Sequence, residues 1–202
     1  MIRPFGEAAL LVELNGPEEA QALAASFRAQ PARGVLDAVP GLASVLVDID
    51  PLSADPDRVT SEIERRIAGL DPTPSVGALH TIPVVYDGSD LDEVAALIGL
   101  QPSEVIELHA STELRVLFCG FAPGFAYLGD LPTELHVPRL ARPRTRTPAG
   151  SVAIAGSMSG IYPADLPGGW RIIGRTDVSL FDARRDPPTL MLPGDRVRFE
   201  PA

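Results

Sequence analysis

From Glu113 to the end of the chain, short apolar runs alternate with proline and glycine turns, and this texture limits the fold more than any other feature. The runs are RVLFC, SVAIAG, WRIIG, VSLF, TLML and RVRF; the turns include Pro167-Gly168-Gly169 and Pro193-Gly194-Asp195. Strand-length runs at this spacing read as an all-β barrel or sandwich.

The preceding residues have a different rhythm. Residues 7–14 (EAALLVEL) form a short β-rich run that ends at Asn15-Gly16-Pro17. Pro17 suits a first helical position, and Ala20, Leu23, Ala24 and Phe27 follow at helical spacing. Two strands are expected over 34–39 and 44–49, split by Pro40-Gly41. A second helix starts at Asp55-Pro56, lines Val59, Ile63 and Ile67 along one face, and stops at Gly69. This β-α-β-β-α order predicts a small α/β layer with its helices on one side of a sheet. Residues 71–75 (DPTPS) break the pattern as a linker. A strand over 81–86 and two short helices follow, the first ending at Gly99 and the second starting near Pro102. The expected organisation is α+β: a small α/β domain over residues 1–76, then a mostly β domain over 77–202.

With 202 residues, this chain can bury a real core. No run reaches the roughly 18 apolar residues of a membrane helix, the start has no signal-peptide core, and one cysteine cannot cross-link the chain internally. A cytoplasmic protein is expected. The net charge of −10 argues against a nucleic-acid partner. All 17 basic residues are arginines. Without lysine, this chain cannot supply a P-loop lysine, a kinase β3 lysine or a Schiff base.

Three segments are more specialised than a generic barrel needs. In residues 118–129 (FCGFAPGFAYLG), three glycines and a proline stand among large side chains. Either the rings wall a ligand held against the backbone, or the glycines merely permit a packed strand-to-loop crossing. In residues 138–151 (PRLARPRTRTPAGS), four arginines fall within eight residues. Their guanidiniums suit a carboxylate or phosphate, with Thr145, Thr147 and Ser151 as further donors, or else they pair with the chain's own acids. The third, AGSMSGIYP with LPGGWRIIGRT after it, is a pocket rim or a barrel corner. His109, near a helix C-terminus beside Val105 and Ile106, favours protonation there, although a structural role is the ordinary one for such a residue. Nothing has metal-ligand spacing. Cys119 reads as buried and inert.

GFAPGFAYLG, PRTRTPAGSVAIAG, SGIYPADLPGGWRIIGRT and LMLPGDRVRF, in this order over residues 80–200, resemble the family of 5-oxoprolinase B subunits and allophanate hydrolase subunit 1 proteins. EAALLVEL and the ELHAS run extend the resemblance more loosely towards the N-terminus. That family includes an inhibitor of a sporulation histidine kinase and part of a urea carboxylase carboxyltransferase domain. The resemblance implies a cyclophilin-like barrel for the second domain. It also implies a companion of the C-subunit or allophanate hydrolase subunit 2 type, with the A subunit needed for full activity. The implied reaction is ATP-dependent opening of 5-oxoproline to L-glutamate, by a chain inactive alone, with ATP and Mg held on a partner or at the subunit interface. The alternatives are an allophanate hydrolase or urea carboxylase-type subunit, and a regulator that docks to a histidine kinase. Within this reading His109, Arg144 and Arg146 are the catalytic candidates. Gly124, Phe125, Arg139, Thr145, Ser151, Tyr162 and Arg175 are the candidates for substrate contact, and no metal ligand is expected.

Overall fold

In the computed structural model, which describes residues 1–72 and 77–202, the chain starts with a strand that carries no sequence signal. β1 (Ile2–Pro4) is too short to alternate and ends in proline, and it pairs antiparallel with β2 (Ala9–Glu13). α1 (Pro17–Ala29), β3 (Val35–Pro40), β4 (Ser44–Ile49) and α2 (Pro56–Ala68) follow. The four strands make an antiparallel sheet in the order β1-β2-β4-β3. Alternate residues of β4, Val45, Val47 and Ile49, share one core with Ala20, Leu23 and Phe27 of α1 and Val59 and Ile63 of α2. A period of two on the strand therefore meets a period of 3.6 on each helix. Pro17 and Pro56 both occupy the first helical turn, and the Asp55 carboxylate caps α2 by accepting from the Asp57 amide at 3.1 Å.

The chain divides into two compact units, Met1–Ser75 and Val76–Ala202. Of the expected linker over 71–75, residues 73–75 lie outside the described residues.

The second unit contains β5 (Leu79–Val84), α3 (Leu91–Ile98), α4 (Pro102–Ser111), β6 (Glu113–Cys119), β7 (Ala126–Gly129), β8 (Arg144–Thr147), β9 (Ser151–Ala155), β10 (Met158–Ile161), β11 (Leu166–Gly168), β12 (Arg171–Arg175) and β13 (Arg196–Pro201). Seven strands form one sheet, in the order β12-β9-β10-β7-β6-β13-β5. Its pairs are antiparallel except β5 with β13, whose register, Leu79 opposite Arg196 through Val84 opposite Pro201, places β5 two residues earlier than its apolar run suggests. The two edge strands then meet. Val85 and Arg175 exchange both backbone hydrogen bonds at 2.9 Å, closing the sheet into a barrel. Gly174 makes this seam possible, because a Cβ there would lie 2.8 Å from both Val84 Cγ1 and the Val85 carbonyl oxygen. The closed barrel bears out the cyclophilin-like expectation.

α3 packs on β12 and α4 on β13. Val94 and Val105 enter the barrel core beside Leu114, Val152, Ile173 and Val197. β8 and β11 form a separate two-stranded ribbon. The VSLF and TLML runs, expected as strands, make only an isolated bridge between Phe181 and Thr189. Pro187 and Pro188 stand between them, and neither has an amide hydrogen to extend a ladder.

Candidate functional site

Period-two alternation gives the barrel wall two distinct faces. On β9, Val152 and Ile154 belong to the barrel core, whereas Ala153 and Ala155 belong to a second buried group with Phe125, Tyr162 and Trp170. On β7, Ala126 and Leu128 face the core, while Tyr127 packs against the second group. Phe125 meets Tyr127, Tyr162 and Trp170 edge-on, at centroid distances of 4.9, 5.5 and 5.7 Å, and Phe118 stacks on Tyr127 at 4.1 Å. Such edge-on and offset contacts suit the ring quadrupoles. A side chain at Gly160 would press on Phe125 Cζ and Trp170 Cζ3 at 3.1 Å, so the rings lie directly on the strand.

The 120–124 loop closes one end of this group. Gly124 takes a positive φ of 85°, with space for no more than a hydrogen against Phe181 and Leu180. Phe121 has a φ of 70°, a strained conformation for a bulky residue, and its ring meets Phe125 and Tyr162 edge-on while remaining 58% exposed. Within the 118–129 segment Phe125 is packed away and Phe121 is presented.

Arg139 is carried to this aromatic group by its neighbours. The Pro138 carbonyl accepts a hydrogen bond from Arg171 Nε at 2.9 Å, and the Leu140 amide donates to the Gly169 carbonyl at 2.8 Å. Residues 138–140 are thereby tied alongside 169–171, and Arg139 comes opposite Trp170, with its guanidinium carbon 6.0 Å from the indole centroid. Arg139 has no acidic partner among the described residues. Burial pushes the Tyr127 and Tyr162 hydroxyls up from their usual range, and the positive charge of Arg139 acts on both in the opposite direction. The arrangement offers an unneutralised guanidinium and the partly exposed Tyr127 beside an aromatic wall, which suits a small carboxylate-bearing molecule.

The other arginines of the expected site are occupied. Arg144, which starts β8, places Nη2 2.5 Å from Asp90 Oδ1 and donates through Nη1 to the Trp170 carbonyl at 3.3 Å. Arg146 pairs with Asp165 on the exposed side of the ribbon, and Arg175 with Asp87 near the barrel seam at 2.9 Å. Thr145 is exposed on β8, and Ser151 is buried at the start of β9, where its backbone pairs with Pro148 and Tyr162. Of the ten residues singled out from the sequence, Phe125, Tyr162 and Arg139 are brought together around Trp170, with Gly124 next to them.

His109 lies in the barrel core. It is fully buried, stacks on Phe199 at 4.5 Å, and is hydrogen-bonded to the Tyr86 hydroxyl at 2.8 Å and to Ser159 at 2.9 Å. Burial holds its pKa down at about 3, so the helix C-terminus does not charge it. Without exposed surface, it faces no substrate in this conformation. Burial and nearby Asp195 raise the Cys119 thiol to about 11, in keeping with an inert cysteine. Among the described residues no group of three or more His, Cys, Asp or Glu is placed to hold a metal ion, and no helix is long and apolar enough to cross a membrane.

The sequence reading missed Asp90, Glu93 and Arg171. Asp90 stands where a helix cap is expected and looks like one, and nothing local marks its carboxylate as buried.

The family described as carboxyltransferase domain, subdomain C and D, matches residues 1–191. The chain is 42% identical to the B subunit of 5-oxoprolinase from Escherichia coli O157:H7, over 98% of this chain and 94% of that protein. To the corresponding 5-oxoprolinase B subunit of Bacillus subtilis strain 168 it is 36% identical, over 98% and 91%. The crystal structure of TTHA0988 superposes with a TM-score of 0.85 at 37% identity; it covers all of this chain, which spans 40% of that longer one. The Kluyveromyces lactis urea amidolyase shares the fold with a TM-score of 0.82 at 19% identity, over 100% of this chain and 15% of that one.

Proposed function

This chain belongs to the family of carboxyltransferase subdomains C and D, and from that premise we propose that it is the B subunit of a 5-oxoprolinase. The observation that carries the reading is similarity along nearly the whole length of two proteins of that name. In this reading the chain works in the cytoplasm with subunits of the C and A types, opens 5-oxoproline to L-glutamate at the expense of ATP, and is inactive alone. With no lysine in its sequence, the chain lacks the side chain a P-loop uses on nucleotide phosphates, which supports ATP and its Mg being held by a partner or at the subunit interface.

The substrate carries a carboxylate and an unstrained lactam. Transfer of the ATP γ-phosphoryl group to the lactam carbonyl oxygen makes that carbon electrophilic. Water then adds and the ring C–N bond breaks towards the amine, which leaves the side-chain carboxyl as an acyl phosphate. A second water hydrolyses that acyl phosphate, giving glutamate, ADP and phosphate. Arg139 takes the substrate carboxylate, with Trp170, Tyr127 and Phe121 lining the ring. Arg144 and Arg146, each satisfied by an acid, hold the ribbon beside it; Arg175 plays the same part at the seam.

The test is to purify the chain with its C- and A-type partners and follow ATP hydrolysis and glutamate release with 5-oxoproline, then with urea or allophanate. Glutamate release dependent on 5-oxoproline is expected. A response to allophanate alone would replace the substrate assignment. Arg139→Gln should raise KM for 5-oxoproline by roughly tenfold or more, the effect of losing a charge-assisted hydrogen bond. An unchanged KM would remove Arg139 from the site.

A further inference from the structure

We propose that Asp90 and Glu93, in the first turn of α3, are positioning residues that set Trp170, and through it Arg139, for substrate. The inference rests on the reading that Arg139 opposite Trp170 receives the substrate carboxylate.

Asp90 occupies the N-cap position of α3, yet its side chain makes no capping hydrogen bond. An aspartate there ordinarily stabilises its helix by accepting from an amide of the first turn. Instead, Oδ1 binds Arg144 and Oδ2 accepts from the Ile172 amide at 2.7 Å, while the Asp90 amide donates to the Ile172 carbonyl at 2.9 Å. Asp90 is 5% exposed, and its carboxylate is divided between Arg144 on β8 and the backbone next to Trp170.

Glu93 is one helical turn further on and so shares the face of Asp90. Its Oε1 lies 2.9 Å from Nη1 of Arg171, an ion pair by charge and distance without hydrogen-bond alignment. This buried guanidinium also donates through Nε to the Pro138 carbonyl. Two acids of one helical turn thus hold two arginines, and each arginine touches the backbone at the site. Arg144 reaches the carbonyl of Trp170 itself. Arg171 is the next residue after Trp170 and holds the residue before Arg139. Through these four side chains both partners of the Arg139–Trp170 pair are fixed to α3. The Asp90–Arg144 pair, whose acid is buried, is a poor source of net stability but is sensitive to geometry and expensive to break on one side; the Glu93–Arg171 pair is buried only on the arginine side. These properties suit a device that holds one orientation.

Trp170 is the sole tryptophan of the chain, so its fluorescence reports the device directly and needs no catalysis. Asp90→Asn keeps the shape and an acceptor for Ile172, and removes the charge that holds Arg144. Glu93→Gln, at a half-exposed position, is the second variant, for the case that Asp90→Asn does not fold. In either folded variant of the isolated chain, Trp170 emission should shift to the red and become more accessible to acrylamide. In the assembled enzyme KM for 5-oxoproline should rise by roughly tenfold with kcat largely kept. Glu93→Asp, which retains the charge, should recover part of both effects. Unchanged Trp170 emission and quenching in folded Asp90→Asn and Glu93→Gln would overturn the clamp, whatever the enzyme's substrate. Altered Trp170 with unaltered KM would place the failure in the substrate reading, and the positioning role would fall with it.

Discussion

Tyr86, His109 and Ser159 form one directed chain of hydrogen bonds across the barrel core. The assignment that satisfies every group has the Tyr86 hydroxyl donating to Nδ1, Nε2–H donating to Ser159 Oγ, and that hydroxyl donating to the Ala153 carbonyl at 3.3 Å. A second proton on the imidazole would leave the Tyr86 hydroxyl without its acceptor and put a charge where no water can reach it. Its folded pKa of about 3 lies well below the ordinary value of 6.5. A histidine depressed on folding binds its proton only in the unfolded chain between these two values. Its contribution is therefore complete above about pH 6.5 and is lost as the pH falls towards 3. The expected loss is at most about 1.4 kcal/mol per pH unit through that window. Denaturant titrations at pH 7, 5.5 and 4.5 measure it. His109→Gln, which does not titrate, should be less stable at pH 7 and show a shallower dependence on pH. An equal slope in the two proteins would assign the acid sensitivity to other groups.

At the scale of elements, the seam of the barrel is where sequence and structure part most clearly. The helices were legible because their ends are chemical: Pro17, Asp55-Pro56, Gly69 and Gly99 each act within one turn of chain. Gly99 takes the left-handed conformation with φ 73°, as a glycine C-cap does. Long-range pairing has no such local sign. The parallel pairing of β5 with β13 and the Val85–Arg175 bridge join residues more than 85 positions apart, and the acid that binds Arg144 lies 54 positions away. For the same reason the sequence could present four arginines within eight residues without distinguishing the unpaired Arg139 from the neutralised Arg144 and Arg146. Gly174 is the place to test the closure. Replacing it with alanine sets a methyl group 2.8 Å from Val84 and Val85, and neither neighbour is a flexible chain end. Overpacking of this kind costs roughly 1–3 kcal/mol. Gly174→Ala should lose that much in thermal or denaturant unfolding, with amide exchange rising first at Val85 and Arg175. Wild-type protection at those two amides would show that the bridge does not depend on the glycine.

Across the whole molecule, burial is organised as three clusters, one from an N-terminal stretch and two that share a second stretch. One draws on residues 10–63, the barrel core on residues 82–199, and the aromatic group on residues 125–170. The elements proposed to handle substrate, and the clamp behind them, all lie in the second stretch. The residue that best separates the clusters experimentally is Ile63, which is fully buried in the first of them, against the sheet of β1 to β4. Cutting it back to alanine removes three carbons and leaves a cavity, a change worth about 2–5 kcal/mol where the surroundings relax only partly. That loss should appear in the far-ultraviolet circular dichroism of α1 and α2 during denaturant unfolding. Trp170, in the aromatic group, should keep its folded-state emission and its accessibility to acrylamide at denaturant concentrations below the transition. If Ile63→Ala instead shifts the native emission of Trp170, the loss is not confined to the first core.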